Sequence, residues 1–317
     1  MGRYFLGIDG GQSSTTALIG DGAGRVSGYG RAGPCNHVGT EEGRERFLSA
    51  IAGCVAPACK EAQLDFATIR FDSACFGFSG GPQNKEALLN EMLRCDRMAI
   101  THDAAIALEG ANAGVPGLIV IAGTGSIAFG RDERGRTARA GGWGYIFGDE
   151  GGGFDIARQA LRAALRYDEG WGEATELNEM LLEQTRSVDA NEVLHKFYTS
   201  EFPREKVAKL AMHVDSVASF GDPIARIILD EAGKRLADLA LAVLGQLFPD
   251  RPARVSYVGG VFRSAPVLQR FTSTLMKESN VKVAAPVYGP ATGALMEAYR
   301  VAGLKVELSG VPEVEKQ

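Results

Sequence analysis

Apolar and polar positions alternate with period two at the start of the chain. Residues 4–9 and 15–20 each read as a strand, and the glycine–serine stretch between them as the turn of an antiparallel pair. DGAGR at 21–25 is a second turn and VSGYGRAG a third short strand, so the chain opens as a β-meander. Residues 13–19 are hydroxyl-rich and β-branched, which suits a strand. That reading excludes dinucleotide and Walker-type fingerprints, which need a helix directly after their glycines. Helical periodicity takes over at 41–62, in an amphipathic segment expected to break at Pro57. RFDSACFGFSGG reads as a buried strand ending in glycines, PQNKEALLNEMLR as a short helix, RMAITHD as a strand with Asp103 at its end, and AAIALEGANAG as a helix.

The opening pattern then returns. GLIVIAGTGSIAFGRDERGRTARAGG repeats strand, glycine turn, strand, turn, strand, and mirrors YFLGIDGGQSSTTALIGDGAGRVSGYG. Helices are expected at 151–166, about 175–184, 189–199, 203–219 and 221–247, the last with a core-facing stripe running from Ile224 through Leu236 to Val243. RVSYVGGVFRS gives a strand and a Gly-Gly turn; VKVAAPVYGPATGALMEAYRVAG gives a last strand and helix. This weak internal repeat predicts two α/β domains, 1–117 and 118–303, with a polar, loosely held tail at 304–317. A cleft between two such halves would set two glycine turns face to face.

Composition narrows the function classes. A length of 317 residues is long for one core, in keeping with two domains. A net charge of −5 offers no excess of Lys or Arg to neutralise phosphates, which argues against nucleic acid or an acidic membrane as partner. The five cysteines, Cys35, Cys54, Cys59, Cys75 and Cys95, form no C-x-x-C pair and read as reduced thiols. The four histidines lack zinc-ligand spacing. The first apolar run is too short for a signal peptide and Asp9 interrupts it, so a cytoplasmic location is expected.

Five motifs in order carry a resemblance: GIDGGQSSTTAL, FGFSGG at 76–81, IAGTGSIAFG at 121–130, VSYVGGVFRS at 255–264 and GPATGALMEA at 289–298. They resemble the first phosphate loop, first connecting segment, second phosphate loop, adenosine motif and second connecting segment of the sugar-kinase/actin/Hsp70 superfamily. Within it, the chain is most similar to the group holding N-acetylglucosamine kinases and BadF/BadG/BcrA/BcrD-type ATPases. GGWGYIFGDEGGGFDIARQAL at 141–161, PCNH at 34–37 and HDAA at 102–105 look like the amino-sugar kinase branch. The resemblance implies an α/β fold of two ribonuclease-H-like, actin-like ATPase domains around a central nucleotide and sugar cleft. It also implies ATP and Mg²⁺ as cofactors, an amino-sugar substrate and a homodimer.

The residues suit that chemistry. Glycine lets the backbone approach phosphate and turn N–H groups inward. Gly10, Gly11, Gln12, Ser13, Ser14 and Thr15 can cradle phosphate in the first half, and Gly123, Thr124, Gly125 and Ser126 in the second. Asp9 would repel a bare triphosphate and becomes useful with Mg²⁺ between them, held through water. Asp103, at a strand end that opens a helix, reads as a helix cap, and the resemblance makes it the base for a sugar hydroxyl. Asn36, Asp103, Gly142, Trp143, Gly144 and Asp149 look like the sugar-binding set; Trp143 reads equally as a core aromatic. Glu150 could bind substrate or cap the helix after it. Gly259 and Gly260 would let the adenosine lie against the backbone, and the helix at 221–247 would wall that pocket. Sugar binding to both halves would draw them together.

The expected activity is transfer of the γ-phosphate of ATP to the 6-hydroxyl of N-acetylglucosamine. Glucosamine or a muramic-type sugar is the near alternative. Two readings of another class share the fold: an ATPase activator that feeds electrons from an iron–sulfur cluster to a dehydratase, and a silent sugar sensor. The activator needs cysteines placed to hold a cluster, and all five here fall in the first half.

Overall fold

In the computed structural model of the protein, the described residues are 2–11, 13–35, 41–81, 83–278 and 280–316. They divide into two units, Met1–Pro116 with Ala285–Gln317, and Gly117–Ala284.

The first unit begins with the meander β1 (Tyr4–Gly10), β2 (Thr15–Asp21) and β3 (Val26–Ala32). Then come α1 (Glu41–Glu61), β4 (Arg70–Phe71), β5 (Ser73–Phe78), α2 (Glu86–Met92), β6 (Arg94–Cys95), β7 (Met98–His102) and α3 (Asp103–Ala111). Among the described residues its main sheet has the order β3-β2-β1-β5-β7, with β4 and β6 in a small sheet of their own. β1 pairs antiparallel with β2 and parallel with β5, which runs parallel to β7. β5 is buried along its whole length, as a central parallel strand covered on both faces must be.

The two faces follow from period-two alternation. Leu6 and Ile8 of β1 point into one core with Phe47, Ile51 and Val55 of α1. Phe5 points into the other, with Ile106 of α3 and Leu295 and Tyr299 of a last helix, α11 (Pro290–Val301). α1 passes through Pro57 without interruption. The expected break is overridden by packing: a methyl group on Gly28 or Gly30 of β3 would lie 2.1 Å from the Ala58 carbonyl oxygen or 1.9 Å from that of Cys54. The helix is thus seated backbone to backbone on the strand on both sides of the proline.

The second unit repeats the plan with β8 (Gly117–Ala122), β9 (Ser126–Arg131), β10 (Thr137–Gly141), β11 (Ala253–Val258) and β12 (Val281–Val283) in the order β10-β9-β8-β11-β12. Between β10 and β11 stand α4 (Gly153–Asp168), α5 (Leu177–Thr185), α6 (Ala190–Phe197), α7 (Arg204–Lys209), α8 (Ala211–Ser219) and α9 (Pro223–Leu247). A 3₁₀ turn (Gly260–Arg263) and α10 (Ala265–Leu275) connect β11 to β12. The single helix expected at 203–219 is two, because three-residue hydrogen bonds, Leu210 N–H to Val207 and His213 N–H to Leu210, tighten the chain at Leu210. On α9, Leu236 and Val243 are buried, whereas Ile227 is 63% exposed.

The expected division 118–303 differs from the observed one at its far end, because α11 belongs to the first unit. Its small residues admit close contact. A methyl on Gly293 would lie 1.9 Å from the Ile106 carbonyl oxygen, and one on Gly7 2.2 Å from the Leu295 nitrogen. The tail is not loosely held either. Val26 N–H donates to Ser309 at 2.8 Å, Gly289 N–H donates to the Glu315 carbonyl at 2.7 Å, and Val311 and Glu315 are buried. No helix among the described residues is long and apolar enough to cross a membrane.

Gly293→Ala is expected to separate α3 from α11. Overpacking a close backbone contact costs on the order of 1–3 kcal/mol or more. Urea unfolding should show a lowered midpoint, and an unchanged midpoint would mean that the two helices can part freely.

Candidate active site

In the first unit the chemistry gathers at the carboxyl ends of the parallel strands, where open α/β sheets bind ligands. Asp9 is the penultimate residue of β1, and Asp103 follows β7 as the first residue of α3. Asp103 is half-buried, and one of its carboxylate oxygens accepts the Ala104 N–H at 2.8 Å. Asp9 shares the α11 face of the sheet with Phe5 and Gly7, since all three are separated by two residues along one strand. Burial pushes its carboxyl up to about 7, and the charges of Glu315 and Asp103 push it the same way. A carboxylate that burial and two like charges disfavour is one that a cation would stabilise. Among the described residues no group of three or more His, Cys, Asp or Glu forms a ligand cage. A single buried strand-end carboxylate of this kind fits a divalent ion that keeps most of its water shell.

The first glycine turn is a tight hairpin in which Gly11 N–H donates to the Ser14 carbonyl at 2.9 Å. Ser13 is exposed at its tip, and Ser14 receives a hydrogen bond from Arg31 at 3.2 Å. Gly10 is fixed by packing, because a methyl there would meet the Phe78 ring at 2.3 Å. Thr15 is fully buried and its hydroxyl donates to the Gly33 carbonyl at 2.8 Å, so that hydroxyl serves the fold and not a ligand. Gln12 and Asn36 lie outside the described residues.

In the second unit, three turns that are distant in sequence form one hydrogen-bonded cluster. Gly142 N–H donates to the Ser126 carbonyl at 2.9 Å, and the Ser126 hydroxyl donates to the Glu150 carbonyl at 2.6 Å. Gly153 and Phe154, at the start of α4, donate to the carbonyls of Gly123 and Thr124 at 2.8 and 3.0 Å. Thr124 and Gly125 keep their own N–H groups free of hydrogen bonds among the described residues, as an anion cradle requires. Asp149 lies behind this loop. It is 4% exposed, ion-paired with Arg204, and accepts the Ser126 N–H at 3.4 Å. Its carboxylate braces the loop here, whereas the motif resemblance placed it on the sugar. Arg204 comes from α7, fifty-five positions away, and no spacing in the sequence points to it.

Trp143 is 65% exposed, with the Arg139 guanidinium 4.5 Å from its ring centre, so it is not a core aromatic. Gly144 stands open, with φ +80 and nothing within 4 Å of a methyl placed on it. Glu150 is exposed and its side chain does not cap α4; Asp155, inside the helix, accepts the N–H of Gly151 ahead of it at 3.0 Å. Gly259, at φ +112, lets β11 end against β8, where a methyl would meet the Ala122 carbonyl oxygen at 2.2 Å. Gly260 next to it faces open space. Sequence reasoning missed Glu315 as well as Arg204; the only hint was a carboxylate in a tail assumed to be free.

Comparison with known proteins matches residues 6–298 to the model of the BadF/BadG/BcrA/BcrD ATPase family. The chain is 31% identical to an N-acetylmuramic acid/N-acetylglucosamine kinase of Clostridium acetobutylicum, over 83% of this chain and 86% of that protein. It is 28% identical to an N-acetyl-D-glucosamine kinase of Dictyostelium discoideum, over 93% and 98% of the two chains. A solved structure from Chromobacterium violaceum, provisionally named an N-acetylglucosamine kinase, superposes with a TM-score of 0.73 at 25% identity, covering 93% of this chain and 98% of that one. The fold is the ribonuclease-H-like one of actin-like ATPases, present in both units.

Asp9 gives a pH signature. In the unfolded chain its carboxyl titrates near 3.8, and in the folded protein near 7. The folded state therefore holds a proton that the unfolded state has lost between those values, and stability falls as pH rises through the window. Without metal or nucleotide, Asp9→Asn should be more stable than wild type at pH 8, with the gap closing towards pH 4. Urea midpoints against pH would reveal this; parallel curves would contradict it.

Proposed function

Since the chain belongs to the BadF/BadG/BcrA/BcrD ATPase family, we propose that it is an ATP-dependent amino-sugar kinase acting on the 6-hydroxyl of N-acetylglucosamine. The observation that carries this reading is the placement of Asp9 and Asp103 at the same end of the sheet: Asp9 pairs with Gly77, which pairs with Thr101, two residues before Asp103. Phosphoryl transfer needs a cation site and an acceptor-orienting base flanking one phosphoryl group. The kinase names of the two relatives support the same chemistry.

In this reading Asp103 orients the sugar hydroxyl with the carboxylate oxygen that Ala104 does not hold. As the hydroxyl oxygen bonds to the γ-phosphorus and the bond to the ADP oxygen breaks, Asp103 takes the hydroxyl proton. Asp9 holds Mg²⁺ through water. When bound, that ion supplies neutralisation of the phosphate charge. The N–H groups of Thr124 and Gly125 donate to phosphate oxygens, and Gly260 leaves room for the adenosine. Gly142, Trp143 and Gly144 form the substrate-facing turn. Asn36 remains part of the proposed sugar set on the motif alone, and Asp149 enters it only by exchanging Arg204 for a sugar hydroxyl.

A lactyl-bearing sugar is the second reading, supported by the relative whose name covers both N-acetylmuramic acid and N-acetylglucosamine. The iron–sulfur activator gains no support from the cysteines. Cys35, Cys54, Cys59 and Cys75 are buried, and burial pushes the Cys54 and Cys59 thiols up to about 12 and about 11. Such thiols are poor thiolate ligands. The kinase is taken to be a cytoplasmic homodimer; light scattering that gave a monomer mass at micromolar concentration would remove the dimer from this reading.

ADP release measured over N-acetylglucosamine, N-acetylmuramic acid, glucosamine and glucose tests the activity and ranks the sugars. Asp103→Asn should lower kcat by about 10²–10⁴-fold, the usual contribution of a positioned base. ATP affinity by calorimetry should stay close to wild type. Near-normal turnover in that variant with every sugar the parent accepts would transfer the base role elsewhere.

A further inference from the structure

The last residues of the described chain reach the Asp9 edge of the sheet. α11 runs back along β1: Tyr299 packs tilted on Phe5, with ring centres 4.3 Å apart, and Leu295 lies against Gly7. The next residue on that face of β1 is Asp9, and the corresponding part of α11 is its first turn. Glu315 is seated on that turn. Its Oε2 accepts the Thr292 N–H at 3.0 Å and the Thr292 hydroxyl at 3.1 Å. A methyl on Gly289 would lie 2.6 Å from the same oxygen, so glycine there leaves the space the carboxylate fills. The Glu315 backbone is tied down too, since its carbonyl receives the Gly289 N–H and Lys316 bridges to Tyr288. Glu315 is only 8% exposed and forms no ion pair among the described residues, and its charge acts on Asp9.

A cap alone does not call for this. A Ser, Asp or Asn at position 289 would satisfy the first turn of α11 locally. The chain instead brings a carboxylate from twenty-three positions beyond Thr292 and fixes it on the first turn of α11, the part of that helix towards Asp9. Two fixed like charges repel, and only a cation between or beside them turns that repulsion into attraction.

We infer that Glu315 is a positioning residue for the divalent cation: locked on the first turn of α11, its carboxylate adds a second fixed negative charge beside Asp9 and strengthens the hold on the hydrated ion. The inference rests on the reading of Asp9 as the residue that holds the ion through water. It gives the C-terminal tail a role in phosphoryl transfer through Asp9, without contact with the substrate.

Mn²⁺ serves as the probe, with free Mn²⁺ followed by electron paramagnetic resonance in the presence of ADP. Glu315→Gln keeps oxygen and hydrogen-bonding capacity while removing charge, and should weaken Mn²⁺ binding about tenfold, as expected for losing a nearby fixed charge. The Mg²⁺ concentration for half-maximal activity should rise in step, with kcat at saturating Mg²⁺ retained. Glu315→Asp keeps the charge but reaches Thr292 less well, and should hold Mn²⁺ within about threefold of wild type even if it melts earlier. Wild-type Mn²⁺ affinity in Glu315→Gln overturns the inference. If Glu315→Gln does not fold, Glu315→Asp decides: a loss of Mn²⁺ affinity of about tenfold, tracking its loss of stability, overturns it. Asp9→Asn separates the two readings. If it leaves Mn²⁺ binding unchanged, the assignment of Asp9 fails; if it weakens binding and Glu315→Gln does not, only the role of Glu315 fails.

Discussion

The first unit depends on one contact, the seating of α11 backbone to backbone against β1 and α3. Gly7, Gly110 and Gly293 have no side chain because a carbon atom at any of them would lie 2.3 Å or less from main-chain atoms of the neighbouring element. That closeness fixes what each strand face can carry. Phe5 and Gly7 pack under α11, and the next residue on the same face, Asp9, emerges where the helix begins. α3 is held by the same helix, which sets Asp103 near Asp9. The placement of these carboxylates is thus a consequence of where small residues let backbones meet, and a polar cluster is fixed by apolar packing beneath it.

Charge is distributed against this packing. Asp9, Asp103 and Glu315 share one end of the unit, and the like charges, with burial, disfavour the ionised Asp9 carboxyl. Active sites commonly keep such unfavourable charge because a ligand reverses its sign. The second unit does the opposite. There the buried Asp149 has a partner in Arg204, and the glycine loop at 123–125 is clamped by the start of α4. One glycine turn is shaped by a hairpin and the other by its neighbours. That difference accounts for why Ser126 and Thr15, both read as phosphate donors, have their hydroxyls engaged inside the fold.

Much of this was legible in the sequence, and the limits of that reading are physical. Period-two alternation located the two meanders, and their repetition at 4–29 and 118–140 anticipated two α/β units, whose main sheets prove to share one strand order. The turns between strands carry their own chemistry, so Gly11, Gly125 and Gly259 could be found as turns, and Asp9 and Asp103 as residues at strand ends. Misreadings came where long-range packing overruled a local preference. Pro57 should break a helix, yet α1 continues because glycines of β3 hold it on both sides. A polar tail should be loose, yet it is pinned by Ser309 and Glu315. The ion pair of Asp149 was equally out of reach, because nothing near it in sequence reveals an arginine on a helix fifty-five positions later.

By itself, the sequence determined the strand faces, the glycine turns, the strand-end carboxylates and the order of motifs, because each of these depends on residues within a few positions of one another. Only the tertiary structure decided that residues 285–317 complete the first unit, that Asp149 pairs with Arg204 and that Glu315 stands beside Asp9. Those pairings join segments separated by 55 to 306 positions. What selects them is the fit of small residues and the desolvation of charge in three dimensions, and neither leaves a periodic mark along the chain.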